Sequence, residues 1–178
     1  MKNTRLSRRM FMGTSLALGA GVLFYFNKST DNTKFYANDM QIILHTSYHL
    51  FPVSKIGPGA IDLHISSFLA DSFKDKRLLK EDKNYFLKGA FWLEESAFEE
   101  YDKSFLNLSS QEKEKLLQDI ARHRWGENFI YTTLNYILEA LLCSPVYGSN
   151  PDALGWKWLE HNPGFPQPQN IEDIHYEV

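Results

Sequence analysis

Cysteine is almost absent from this chain of 178 residues, in which Cys143 is the only one. A lone thiol forms no disulfide within the chain, so the sequence excludes a small disulfide-stabilised scaffold. The chain also lacks a glycine-rich phosphate loop, a Cys-x-x-Cys-His haem motif, a His-Glu-x-x-His motif and a Gly-x-Ser-x-Gly motif. It therefore carries none of the usual local signatures of nucleotide, covalent haem, zinc-protease or serine-hydrolase chemistry.

Positive charge is scarce beyond the N-terminal segment. Residues 1–26 carry four basic and no acidic side chains, whereas the other 152 residues carry 15 basic and 22 acidic ones, which gives the net charge of −3. A nucleic-acid-binding protein concentrates positive charge on its folded part, so we expect no nucleic-acid partner. The 43% apolar content, with 13 Phe, 9 Tyr and 4 Trp, is that of an ordinary globular domain and excludes a disordered chain.

Residues 1–37 are predicted to be a twin-arginine signal peptide or an N-terminal anchor, with a linker. Arg8 and Arg9 are followed by Phe11 and by a 17-residue run, Met10 to Phe26, that has no charged side chain. This arrangement resembles the twin-arginine export motif. A general secretory signal and a plain membrane anchor stay open, since the run reaches the lower length limit of a spanning helix and no clear cleavage site follows it. Either way, we expect the body of the protein outside the cytoplasm.

Residues 38–178 are predicted to form a single all-α domain of four or five helices with an extended C-terminal tail rich in proline and aromatic residues. Apolar residues recur at helical spacing in five segments. Ser109 and Glu112 have the spacing of a capping box, which predicts a helix start. The side chains expected to face inward are Met40, Ile43, Leu44, Tyr48 and Phe51, then Ile61, Ile65, Phe68, Leu69 and Phe73, then Phe86, Ala90, Leu93 and Ala97, then Leu116, Leu117 and Ile120, and last Ile130, Leu134, Ile137, Leu138 and Leu141.

Few side chains are candidates for chemistry. His45 and His49 share a helix face and could chelate a metal, with His64 nearby, but a catalytic zinc site needs a third protein ligand that the sequence does not identify. Structural or surface histidines are the favoured interpretation. Cys143 ends an apolar helix and is expected to be an inert, packed thiol. Glu139 lies between apolar residues of that helix, so we expect a hydrogen bond or ion pair there, with the C-terminal tail as one source.

Two blocks of the sequence carry a family resemblance. The stretch 144–150, SPVYGSN, is followed by Gly155-Trp156 and by Pro163-Gly164, and an earlier block contains Gly57-Pro58-Gly59-Ala60. These blocks and the twin-arginine leader resemble the small subunit of membrane-bound gluconate 2-dehydrogenase and of related flavin-dependent sugar and polyol dehydrogenases. Ser149 stands where that family commonly has a second glycine, so the turn is expected to differ in detail.

The resemblance implies a subunit that is not an enzyme by itself. It implies no cofactor on this chain, FAD on a large dehydrogenase subunit, and electron transfer to a cytochrome c subunit with haem c or to another acceptor. The small subunit would stabilise the large one and escort it through the twin-arginine translocase to the periplasmic side of the inner membrane. The predicted partner interface, from large aromatic side chains set among Pro and Gly, is Pro145, Tyr147, Gly148, Asn150, Trp156, Trp158, Pro163 and Gly164.

Three alternatives remain open on the sequence alone. One is a stand-alone periplasmic enzyme that uses His45 and His49 on a metal. Another is an anchored interaction protein without a redox partner. The third concerns the tail alone, which either folds back over its own helices or contacts a partner. For Trp156 these two arrangements are weighed equally. From Trp158 onward, contact with a partner is favoured.

Overall fold

The computed structural model describes residues 32–165, with side chains from Ala37 onward. The predicted export signal, with Arg8, Arg9 and Phe11, lies outside these residues. The chain divides into compact units between Ala37 and Asn38. Of the first unit only the start of a helix is described, so the fold below is that of the second unit.

The described residues form helices and turns and contain no strand, which confirms the all-α prediction. Five longer helices are followed by a sixth of only five residues, and three 3-10 turns connect them. The elements are α1 (Asn32–Leu50), α2 (Ile65–Ser72), α3 (Lys80–Tyr101), the turn Phe105–Asn107, α4 (Ser110–Ile120), α5 (Arg124–Leu142), the turns Pro145–Tyr147 and Pro151–Ala153, and α6 (Leu154–Trp158).

Two boundaries differ from the predictions. Helix α1 begins at Asn32, within residues 1–37, which were predicted to be a signal peptide or an anchor with a linker. Between residues 145 and 153 the tail is not extended, because Pro145 and Pro151 stand at the starts of the two 3-10 turns, where a missing backbone N–H costs nothing. Short helical turns therefore replace the extended conformation expected of a proline-rich segment.

Local sequence signals set the start of α4 as predicted. The Ser109 hydroxyl accepts a hydrogen bond from the Glu112 N–H, and the Glu112 carboxylate accepts one from the Ser109 N–H at 2.7 Å. The two side chains satisfy each other's free backbone donors, which is the capping box. These hydrogen bonds to Ser109 are the main cause of the lowered pKa of Glu112.

Helix α5 is the centre of the domain, since it contacts α2, α3, α4 and α6. The inward positions predicted for α3 and α4 are all buried, as are Ile43, Ile65, Leu69, Phe73, Ile137 and Leu141. The inward prediction was wrong for Ile61, Leu134 and Leu138, which are 55%, 39% and 52% exposed. In α5 the core is instead filled by Phe129, Thr133, Ile137, Ala140 and Leu141.

Among residues 32–165, no helix combines the length and the apolar character that crossing a bilayer requires.

Asp39 in α1 gives the fold a pH dependence. Partial burial, and next the charge of Glu94, raise the pKa of Asp39 from 3.8 to about 6. A raised carboxyl pKa means that the ionised form is disfavoured in the folded state, so stability is lower above about pH 6 and rises as the pH falls from there toward 4. After discounting for solvent, the penalty at neutral pH is about 1 kcal/mol.

We therefore expect Asp39→Asn to raise the Tm by about 3 °C at pH 8 and to leave it nearly unchanged at pH 4, as measured by thermal melts. Asp119→Asn is the control, because the Asp119 side chain is 47% exposed and its ion pair with Arg122 is long, at 3.7 Å. An equal gain for Asp39→Asn at both pH values would show that the ionisation of this carboxyl is not the cause.

Candidate partner-binding surface

The two sequence blocks that carry the family resemblance meet in space. The Trp158 indole N–H donates a hydrogen bond of 2.6 Å to the Ile56 carbonyl, 102 residues away. The Trp158 ring also lies edge-on to Phe51, with 6.0 Å between ring centroids. Gly57 faces this indole directly, since a Cβ there would fall 2.5 Å from Trp158 Nε1. The tail therefore closes over the loop that follows α1.

That loop is held by its own short hydrogen bonds. The Asp62 carboxylate accepts a bond of 2.9 Å from the Gly59 N–H, and the Ala60 N–H donates to the Phe51 carbonyl at 2.8 Å. Gly59 has no room for a side chain, because a Cβ would lie 2.7 Å from the Pro52 carbonyl carbon. The Gly-Pro-Gly-Ala segment thus forms a tight turn with a fixed shape against which the tail packs.

Asn150 fastens the tail to the helices. Its side chain is completely buried, its Nδ2 donates to the Cys143 carbonyl at 2.9 Å, and its Oδ1 accepts from the Gly155 N–H at 2.6 Å. Its own N–H donates to the Leu63 carbonyl at 3.1 Å. Asn150 had been predicted as an interface residue, but the structure places it inside the domain, where it joins the loop, the end of α5 and the start of α6.

Trp156 also contacts its own domain. Its indole N–H donates to the Leu142 carbonyl at 2.8 Å, and its ring lies 6.3 Å from that of His161. Gly155 lets the chain approach this closely, since a Cβ there would clash with the Leu141 carbonyl oxygen. As far as Trp158, the tail therefore folds back over its own domain, while contact of the still exposed Trp158 with a partner stays a prediction.

An apolar surface remains exposed where the tail covers the loop. Val53, Ile56, Trp158 and Leu159 are 59%, 85%, 39% and 45% exposed. We call these four side chains the tail–loop surface. Trp158 was predicted from its aromatic character, whereas Val53, Ile56 and Leu159 were missed because single apolar residues in loops have no periodicity.

The other predicted interface residues lie elsewhere in the tail. Pro145 opens a 3-10 turn that ends at exposed Gly148, whose φ is +83°, and Tyr147 is partly buried in it. Pro163 and Gly164 are exposed. Ser149, which stands where the family commonly has a second glycine, is buried and has no positive φ, whereas its neighbours Gly148 and Asn150 are both left-handed.

The three histidines that were considered as metal ligands each lie in a different environment. His49 lies 3.0 Å from the Glu114 carboxylate, whose pKa this hydrogen bond lowers. His45 packs edge-on to Tyr48, and burial, more than the nearby Lys113, lowers its pKa. His64 is exposed at the start of α2. No group of three or more potential metal ligands is found among the described residues.

Cys143, directly after α5, and Glu139, within it, were the other two candidates for chemistry. Burial raises the pKa of the half-buried Cys143 thiol, which keeps it protonated and agrees with the inert thiol expected. Glu139 is exposed, and its carboxylate forms no hydrogen bond or ion pair with the described part of the chain, contrary to the expectation of a buried, partnered carboxylate. Partial desolvation raises its pKa.

No sequence pattern indicated a cleft beside Glu139. The cleft has a volume of about 430 Å³ and lies between α3, α5 and the segment that joins α2 to α3. Asp75, Asp82, Tyr136 and Glu139 are among its lining residues. The acids come from three separate stretches of sequence, so no local motif could have indicated this acidic cleft.

Comparison with known proteins gives one clear result. No curated protein and no solved structure was found to match the chain. The family model for gluconate 2-dehydrogenase subunit 3 matches residues 37–164. This range contains both blocks that form the tail–loop surface and nearly all of the described helices, and it makes up well over half of the chain. The chain therefore belongs to the gluconate 2-dehydrogenase subunit 3 family, that of a small subunit of a dehydrogenase complex.

Proposed function

We propose that this protein is the non-catalytic small subunit of a periplasmic, FAD-dependent dehydrogenase complex. In this proposal it binds the large subunit through the tail–loop surface, stabilises it, and escorts it through twin-arginine export. The family match over residues 37–164 is the observation that carries the proposal.

The tail–loop surface supports the binding role. The Ile56 carbonyl accepts the Trp158 hydrogen bond, which holds the backbone of the loop, while the Ile56 side chain is 85% exposed. Apolar side chains on a backbone that is already ordered cost less conformational entropy when a partner covers them, and such clusters are typical of interface centres. Trp158 adds a large aromatic surface that is already oriented by its hydrogen bond.

The leader supports the escort role. Twin-arginine export moves folded proteins, which suits a flavoprotein that takes up FAD in the cytoplasm. A small subunit with the signal could carry a large subunit that has none. FAD and the substrate-oxidising groups would then belong to the large subunit, and haem c to a cytochrome subunit where one accepts the electrons. The complex would stay attached to the inner membrane through its other subunits or through an uncleaved leader.

The test is to change Arg8 and Arg9 together to Lys in cells that make the complex. We expect the large subunit to remain in the cytoplasm and periplasmic dye-linked sugar-acid oxidation to fall at least tenfold. Arg5→Lys, which is basic but outside the pair, is the matched control and should leave export unchanged. In parallel, the tagged wild-type small subunit should co-purify with a yellow flavoprotein. Normal periplasmic activity in the double variant would contradict the escort role, and absence of the flavoprotein would contradict the complex.

A further inference from the structure

Helix α5 exposes a row of large apolar side chains. Tyr131, Leu134, Leu138 and Leu142 are 64%, 39%, 52% and 47% exposed. Their spacings of three, four and four residues place them on one face of the helix, over a length of about 17 Å. We call this row the α5 stripe. Isolated exposed leucines are common on surfaces, but an aligned row on one helix is typical of a face that packs against another helix.

The acidic cleft lies directly beside the α5 stripe. Asn135 and Glu139, which line the cleft, are four residues apart on α5. Asn135 is four residues after Tyr131, and Glu139 is three residues before Leu142, so each is a surface neighbour of a stripe residue. The cleft and the stripe therefore form one continuous surface with an apolar half and an acidic half.

Two of the acids in the cleft have no compensating cation. Asp75 is neutralised by Arg77, whose guanidinium lies 2.7 Å from the carboxylate. Asp82 and Glu139 form no ion pair with the rest of the described chain. Both carboxylates act on the nearby Tyr136 phenol. Burial is the main cause of the raised Tyr136 pKa, and the negative charges of Glu139 and Asp82 raise it further. A ligand with a positive charge at this point would be attracted by the two unpaired carboxylates.

We propose that the α5 stripe and the acidic cleft together bind an amphipathic helix of the large dehydrogenase subunit, with its apolar side chains on the stripe and a Lys or Arg in the cleft. The inference rests on the function proposed above. The negative charge of the domain favours a basic partner helix over the other possible occupants. Residues 38–165 carry 13 basic and 18 acidic side chains, so an anionic lipid surface is repelled and a second copy of this domain is a poorer match than a basic helix.

The stripe also continues into the tail. The Leu142 carbonyl accepts the hydrogen bond of Trp156, two residues before Trp158 of the tail–loop surface. The end of the stripe at Leu142 therefore lies next to α6, the helix that carries Trp158. Two linked contacts of moderate size would together give the area that a stable interface requires.

The experiment uses the full-length protein co-expressed with its large subunit and measures the Kd of the purified pair. We expect Leu138→Glu to raise the Kd at least tenfold, because it places a charge in the centre of the apolar row. Phe98→Glu on α3 is the matched control, since Phe98 is also 52% exposed but lies outside the stripe, and it should change the Kd less than twofold. Combined Asp82→Asn and Glu139→Gln should flatten the dependence of the Kd on salt.

A photo-crosslinking residue at position 138 identifies the occupant. The expected product is a crosslink to a helical segment of the large subunit that contains Lys or Arg. The inference is overturned if the wild-type pair forms and Leu138→Glu binds equally well. It is also overturned if Leu138→Glu instead dissociates a dimer of the isolated small subunit, or abolishes its flotation with phosphatidylglycerol vesicles. If the wild-type small subunit binds no flavoprotein at all, the proposed function fails, and this inference fails with it.

Discussion

Asn150→Ala is expected to lower the Tm by about 10 °C, the largest effect of a single polar side chain in this protein. The change removes a completely buried side chain that bonds the Cys143 carbonyl at 2.9 Å and the Gly155 N–H at 2.6 Å. Each backbone group left without a partner costs about 1–3 kcal/mol. The residue also has a φ of +50°, which Asn tolerates better than Ala. Together these losses amount to about 3 kcal/mol or more.

Asn162→Ala is the matched control for this prediction. Asn162 also accepts a hydrogen bond from a glycine N–H, that of Gly164 at 3.1 Å, but it does so on the surface, where water replaces the lost bond. We expect its Tm to change by less than about 2 °C, because exposed hydrogen bonds contribute little. Thermal melts followed by circular dichroism measure both variants. Equal, small shifts would show that the Asn150 bonds do not fasten the tail.

Gly155→Val should detach the tail from α5. A Cβ at this position would clash with the Leu141 carbonyl oxygen and lie 2.7 Å from Leu141 Cδ1, and a backbone carbonyl cannot move aside without distorting the helix end. We expect a loss of at least about 3 kcal/mol, at the upper end of the usual cost of overpacking. Trp156 and Trp158 should become more accessible to acrylamide quenching, and binding of the large subunit should weaken, because Trp158 is no longer held on the loop.

Gly148→Ala separates steric clash from backbone strain. Gly148 has a φ of +83°, and a Cβ at this position would have no other atom within 4 Å, so alanine there meets only the left-handed backbone penalty. We expect a loss of about 1 kcal/mol and no change in tryptophan quenching. If Gly155→Val were no worse than Gly148→Ala, close packing of Gly155 on α5 could not be what holds the tail.

The helices could be predicted because their signals are local. The capping box of Ser109 and Glu112 and the helical spacing of Phe86, Ala90 and Leu93 each depend on residues within a few positions. The orientation of α5 could not be predicted in the same way. Its apolar residues cover more than one face, so periodicity alone does not decide whether Leu138 or Thr133 faces the core.

The candidate surface was predicted only in part. Trp158 was assigned to the interface because aromatic residues among Pro and Gly are typical of interfaces, and Asn150 was assigned there too although it is buried. An asparagine in a tail gives no local sign of whether its amide bonds solvent, a partner or its own backbone. No local sequence pattern indicated the acidic cleft, since its acids Asp75, Asp82 and Glu139 come from different elements.

The sequence by itself determined the all-α class, most of the helical segments, and the family, because each rests on short-range spacing or on motifs read in order along the chain. Only the tertiary structure decided that Trp158 lies on Ile56, that Asn150 is buried, and that Leu134 and Leu138 face outward. These outcomes depend on which helix faces pack together across the domain, and burial of apolar area, unlike hydrogen bonding within a helix, is set by contacts between residues far apart in the chain.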